Sequence, residues 1–172
     1  MEENLNKSSN ETDFILDTSA FLSLESVYLL EKVLNTFPTI TTFAVIHELN
    51  DFSEYNDELG RIAQRVLKLK HLFNLEESQI KHKLDHVSAT DEELFNLASS
   101  QNIPLLTDDT KLVHHTKGKI VRAFSTVFLK IFVDAELLTK AEALEKLETM
   151  RHIRNWQENI IYISTKEELM KV

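Results

Sequence analysis

The sequence predicts an α/β fold in three layers, α/β/α, with a mainly parallel central sheet. Strand-length apolar runs alternate with longer segments whose apolar residues recur at helical spacing, the pattern of parallel strands joined by crossover helices. Hydrophobic residues make up 42% of the 172, enough to bury the core of one ordinary domain. Two glycines and two prolines argue against flexible linkers between several domains.

Phe14 to Leu16 reads as a short buried strand. Leu24 to Phe37 carries Val27, Leu30, Val33, Leu34 and Phe37 at helical spacing, and Pro38 stops it. Thr39-Ile40-Thr41 makes a second strand, after which Thr42 caps a helix over Phe43 to Leu49. From Glu58 to Phe73 a longer helix puts Leu59, Ile62, Ala63, Val66, Leu69 and Phe73 on one face and Arg61, Arg65 and Lys68 on the other. Thr90 precedes an acidic first turn, Asp91-Glu92-Glu93, and the helix that follows. Ile103 to Leu106 forms a third strand and Lys119 to Phe124 a fourth. Helices at about 125–133 and 139–155, an apolar piece at Ile160 to Ile163 and a last turn from Thr165 complete the chain. The expected division is a flexible tail over 1–12, a main domain over 13–124, and a C-terminal helical extension over 125–172 packed on the same domain.

No apolar stretch reaches the ~18 residues that a membrane span needs, and the polar start MEENLNKSSNET lacks a signal-peptide core. Without cysteine, disulfides and thiolate metal sites are excluded. A cytoplasmic protein is expected. The net charge of −9 opposes phosphate binding overall, yet cations gather in two segments. Arg61 to Lys83 holds six Lys or Arg, and Thr110 to Val133 holds Lys111, Lys117, Lys119, Arg122 and Lys130 without an acid. Either these are solvated helix faces, or Arg61, Arg65, Lys68, Lys111 and Lys117 track a nucleic-acid backbone.

The acids have informative addresses. Asp17 ends the first strand, Glu48 lies on the helix after the second, Asp91 opens the helix before the third, and Asp109 follows the third. Sites in open parallel sheets form at the carboxyl ends of the strands, where these four would gather. Carboxylates within a few ångströms of one another repel unless a cation neutralises them. A hard, oxygen-preferring ion such as Mg²⁺ or Mn²⁺ suits such a set, and phosphate chemistry with it. Each acid also has a structural explanation as a turn, cap or solvated residue.

Four short segments in order, FILDTSAFL, ITTFAVIHEL, ATDEELFNLA and IPLLTDDTKL, resemble the motifs of the PIN domain, the metal-dependent ribonuclease fold of VapC-type toxins and ribosomal RNA processing nucleases. The resemblance runs from Asp13 to about Phe124. It implies a PIN-like sheet and endoribonuclease activity with one or two Mg²⁺ or Mn²⁺ ions held by Asp17, Glu48, Asp91 and Asp109. Ser19, Thr107 and Asp108 would support that set, the Thr-x-Asp register selecting Asp109 and leaving Asp108 more exposed or in a supporting role. The zinc ribbon that accompanies the ribosomal branch needs cysteines, which this chain lacks.

A haloacid-dehalogenase phosphatase would need a second Asp where Ser19 stands. A zinc protease would need His where Asp51 follows His47-Glu48. Two readings remain open: an RNA-cleaving enzyme, toxin-type or RNA-processing, and a catalytically silent RNA-binding or protein-interaction module. A toxin would imply a small inhibitory partner protein, an antitoxin. The stripe Ala143, Leu144, Leu147 and Met150 is either core or a homodimer face.

Overall fold

The computed structural model describes residues 13–156 and 159–171; the tail expected over 1–12 lies outside them. Five parallel strands form one sheet in the order β3-β2-β1-β4-β5: β1 Phe14–Leu16, β2 Thr39–Thr41, β3 Asn74–Leu75, β4 Leu105–Leu106 and β5 Arg122–Ala123. The α/β class is therefore as predicted. The chain steps outward from β1 to β2 to β3, then crosses back and adds β4 and β5 on the other side of β1. The strand order reverses between β1 and β4, which opens a crevice at their carboxyl ends.

The helix expected over Leu24 to Phe37 is two helices. Asp17 accepts the Ala20 N–H at 2.6 Å, so α1 starts at once and spans Thr18–Ser26. The chain turns at Tyr28, whose φ of 55° is left-handed, and α2 runs over Leu30–Thr36. Thr42 caps α3, Phe43–Ser53, as predicted. Asp57 caps α4, Glu58–Lys68, and a 3-10 turn at Lys70–Leu72 ends the apolar stripe that had read as continuous helix. β3 is too short to read from sequence, and the fourth expected strand shrinks to β5.

In the second half, Ser88 rather than Thr90 caps α5, Ala89–Gln101, with Asp91 closing a capping box. Asp109 caps α6, Thr110–His115. Three helices follow: α7 Val127–Asp134, α8 Lys140–Ile153 and α9 Ile160–Lys171. α9 absorbs the apolar piece and the last turn that were read separately. Among the described residues no helix is long and apolar enough to cross a membrane.

One core joins the two halves. Phe14 of β1 meets Phe37 at 5.5 Å and Phe128 of α7 at 5.3 Å between ring centroids, both edge-on. Such pairs add about 0.5–1.5 kcal/mol to the burial of the rings. Ala143, Leu147 and Met150 of α8 are buried in the same core, and Leu144 packs against it. The stripe considered as a dimer face thus packs inward.

Helix α4 returns along α3 at close range. A Cβ on Gly60 would lie 1.9 Å from the Tyr55 carbonyl oxygen, so only glycine fits at this crossing. Gly60→Ala is expected to force the α3–α4 hairpin apart, at the ~1–3 kcal/mol or more typical of overpacking. A thermal melt should fall by several degrees.

Candidate functional site

The backbone brings the carboxyl ends of β1 and β4 side by side, and the Asp17 N–H donates to the Leu106 carbonyl at 3.1 Å. Asp17 is buried, 5% exposed, among several donors. Ser19 Oγ reaches both carboxylate oxygens at 2.9 and 2.8 Å. The Ala20 N–H donates to Oδ1, and the Thr107 hydroxyl donates to Oδ2. Burial still pushes the Asp17 carboxyl up from 3.8 to about 7, with neighbouring Asp108 adding to the rise and the donors from Thr107, Ala20 and Ser19 opposing it.

Strand alternation sorts the residues after β4. Thr107 turns toward Asp17 and accepts the Asp109 N–H at 3.0 Å. Asp108 turns the other way and is buried. It accepts the Ser125 N–H at 2.9 Å and the Ser125 hydroxyl at 2.6 Å, while its own N–H donates to Ser19 Oγ at 2.8 Å. Of the two alternatives for Asp108, more exposed or in a supporting role, the first is corrected: Asp108 is buried and Asp109 half-buried. Burial raises the Asp108 carboxyl, and the bonds from Ser125 oppose that rise. Asp109 Oδ1 accepts the N–H groups of Lys111 and Leu112 at 2.7 and 3.3 Å, the N-cap of α6.

Glu48 comes from the middle of α3, where the Thr18 hydroxyl donates to its Oε2 at 2.5 Å. Asp91 comes from the first turn of α5 and accepts the Ser88 N–H at 3.3 Å. Burial raises the Asp91 carboxyl, the bonds from Ser88 oppose it, and the charges of Asp109 and Glu48 raise it further. The acids from α3, α5 and the end of β4 thus feel one another.

Asp17, Ser19, Glu48, Asp91 and Asp109 line one cavity of about 410 Å³, with Thr18, Leu22, Phe52, Leu59, Ser88, Thr90, Leu94 and Arg154 completing its wall. Thr107 stands behind Asp17. Among the described residues no three acids or histidines close into a ready-made ligand cluster; the four carboxylates share one cavity lining. The lining offers carboxylate and hydroxyl oxygen without sulfur or imidazole, and that donor set fits Mg²⁺ or Mn²⁺. The charge felt by Asp91 is the repulsion that such an ion would relieve.

The cations proposed to follow a nucleic-acid backbone do not line this cavity. Arg61 pairs with Glu58 at 2.8 Å on the surface of α4, and Lys68, Lys111 and Lys117 are exposed. Arg65 is not a free surface charge. Its Nε donates to the buried Glu25 at 2.7 Å, and its guanidinium covers the Tyr28 ring at 4.8 Å. It ties α4 to the turn between α1 and α2.

Arg154, just past α8, was absent from the residues singled out by sequence. Nothing in HIRNW distinguishes it from a surface arginine, because the helix reaches the cavity through tertiary packing alone. Burial depresses the Arg154 pKa, while Asp108 and Asp17 act in the opposite direction. No family model matches the chain, and no curated protein matches it significantly.

Protonation of Asp17 couples to stability with a definite sign. An unfolded chain releases this proton near 3.8 and the native state near 7, so the native state holds more protons in between. Stability must fall as pH rises through that window and level off above it. Thermal melts in chelator from pH ~5 to ~8 should therefore decline for the wild type. Asp17→Asn should flatten the decline without abolishing it, because Asp91 and Asp108 are raised in the same direction. An equal decline in the variant would place the titration elsewhere.

Proposed function

We propose that this chain is a metal-dependent endoribonuclease of PIN type, hydrolysing RNA phosphodiester bonds in the cavity at the β1–β4 crevice. The observation that carries this reading is the common cavity lined by Asp17, Glu48, Asp91 and Asp109, which arrive from four separate elements at the strand-order reversal. PIN-like describes the fold on the same ground, together with the four motifs in their order.

The carboxylates of Asp17, Glu48, Asp91 and Asp109 would hold Mg²⁺ or Mn²⁺. When bound, the ion supplies positive charge to the phosphate oxygens and activates water for attack on phosphorus. The protein's part is placement. Ser19 and Thr107 fix the Asp17 carboxylate by donating to both of its oxygens. Thr18 fixes Glu48, and the helix caps fix Asp91 and Asp109. Phe52, Leu59, Leu22 and Leu94 give the cavity an apolar wall, which strengthens charge interactions inside it. RNA as the substrate, and a toxin-type or RNA-processing role, follow from the resemblance. An antitoxin belongs to the toxin reading.

A second reading is a module that keeps the fold without turnover. One observation favours it: Asp17 and Asp109 are also helix caps and Asp91 closes the capping box of α5, uses that would retain them in a silent domain.

Turnover separates the two. The wild type should cleave single-stranded RNA with Mn²⁺ and not with chelator. Asp17→Asn and Asp109→Asn should abolish detectable cleavage. Asp108→Asn should keep measurable activity, a loss of roughly ten- to a hundredfold being usual for a residue that supports a metal ligand. Its melting temperature should drop, because it loses an acceptor for the buried Ser125 N–H and hydroxyl. Circular dichroism must show each variant folded. A wild type without activity in either metal would leave the silent module standing.

A further inference from the structure

Arg154 occupies a position that the carboxylate chemistry does not explain. It lines the same cavity as Asp17, Glu48, Asp91 and Asp109, and among the described lining residues it is the one cation. Its backbone is fixed firmly. α8 ends in two reversed bonds, Asn155 N–H to the His152 carbonyl at 3.3 Å and Trp156 N–H to the Arg151 carbonyl at 2.9 Å. Asn155 takes the left-handed conformation with φ 54°, and the Trp156 side chain is buried. This pairing is the helix stop in which a left-handed residue and an apolar anchor terminate the last turn. It leaves the residue before them, Arg154, at the cavity wall.

The guanidinium is incompletely satisfied. Arg154 Nε is buried and has no hydrogen-bond partner among the described residues. A buried donor on a charged group without an acceptor is costly and calls for an explanation. A pure counterion for Asp17 and Asp108 needs only proximity of charge. The half-buried side chain lines the open cavity, and an anion bound there would supply the direct acceptor partner that this charged group lacks. The planar guanidinium fork matches the two non-bridging oxygens of a phosphodiester.

We propose that Arg154 is the phosphate-positioning residue of this site: its fork holds the non-bridging oxygens of a nucleic-acid phosphodiester against the carboxylate wall. The C-terminal helical extension then completes the site, because the residue that ends α8 is the one cation among the described lining residues of the four-acid cavity. Four carboxylates repel a phosphodiester. A divalent ion offsets part of that charge and Arg154 offsets more at the place where the phosphate must sit. The proposal rests on the nuclease reading for the identity of the ligand and not for the presence of the anion site.

The test uses the full chain and two readouts. Binding of a short fluorescent single-stranded RNA is followed by anisotropy in Ca²⁺, and cleavage of the same RNA is followed in Mn²⁺. Arg154→Gln should weaken RNA binding roughly ten- to a hundredfold, the range of a lost charge-assisted hydrogen bond. Its Mn²⁺ affinity, from titration calorimetry without RNA, should be no weaker than wild type, since a nearby positive charge has been removed. Arg154→Lys keeps the charge without the fork. It should keep the wild-type melting temperature while still losing RNA affinity, and it decides the matter if the glutamine variant does not fold. RNA binding equal to wild type in the folded variants overturns the proposal, and full rescue by Arg154→Lys reduces the residue to a counterion. If the wild type cleaves no RNA yet binds it in an Arg154-dependent way, the nuclease reading falls and the phosphate site stands. If cleavage persists with binding indifferent to Arg154, the phosphate site falls and the nuclease stands. A wild type that neither binds nor cleaves RNA overturns both.

Discussion

A carboxylate buried at the reversal point of the sheet is the constraint around which this structure is arranged. Asp17 carries its charge away from water, and that desolvation is expensive unless donors replace the solvent. The replacements come from three places: the first turn of α1, the Ser19 hydroxyl and the Thr107 hydroxyl beyond β4. Each donor also fixes a segment. The Ala20 N–H starts α1 directly after β1, Thr107 locks β4 beside it, and Ser19 accepts the Asp108 N–H. Even so the pKa rises to about 7, so the donors do not fully offset burial. A carboxylate kept in that condition holds a latent preference for a cation.

The second consequence runs outward through Asp108. Because strand residues alternate sides, Thr107 and Asp109 serve the cavity while Asp108 holds Ser125 at the entry to α7. The same strand end therefore positions both the acids and the start of the C-terminal helices. α7 seats Phe128 and Phe132 in the core with Phe14 and Phe37, α8 packs against α7 and α1, and the stop at Asn155 sets Arg154 at the cavity wall. The extension is part of the architecture of the site.

How much of this was legible in the sequence depends on the range of the interaction. The four acids stood out because each sits at a strand end or on a helix next to one, and parallel topology turns those addresses into proximity. The Thr107-x-Asp109 register came from the motif resemblance, and the structure adds that Thr107 turns to Asp17 while Asp108 turns to Ser125. Whether Asp108 is exposed or supporting is not legible locally, because its acceptor role depends on Ser125, seventeen residues away. Arg65 read as polar-face surface because periodicity cannot see Glu25 buried on the neighbouring helix. The break at Tyr28 was hidden for a local reason: the left-handed residue is a tyrosine, where glycine or asparagine would have announced a turn. Arg154 was hidden for a global one, since its role depends on where a helix from the other end of the chain comes to rest.

The caps bear on how a four-acid cavity can exist in a folded protein at all. Asp17, Asp91 and Asp109 each accept backbone N–H bonds at or before the first turn of a helix, where the orphan donors and the positive end of the dipole favour a negative charge. Glu48 is held by Thr18, the first residue of α1. The position of every acid therefore traces to a helix start. Capping is satisfied within the chain, so it lowers the repulsion among the acids and fixes their directions before any cation arrives. For Asp17, Asp91 and Asp109 the bonds that begin a helix also fix the carboxylate at the cavity wall, while Glu48 in mid-α3 depends on Thr18 instead.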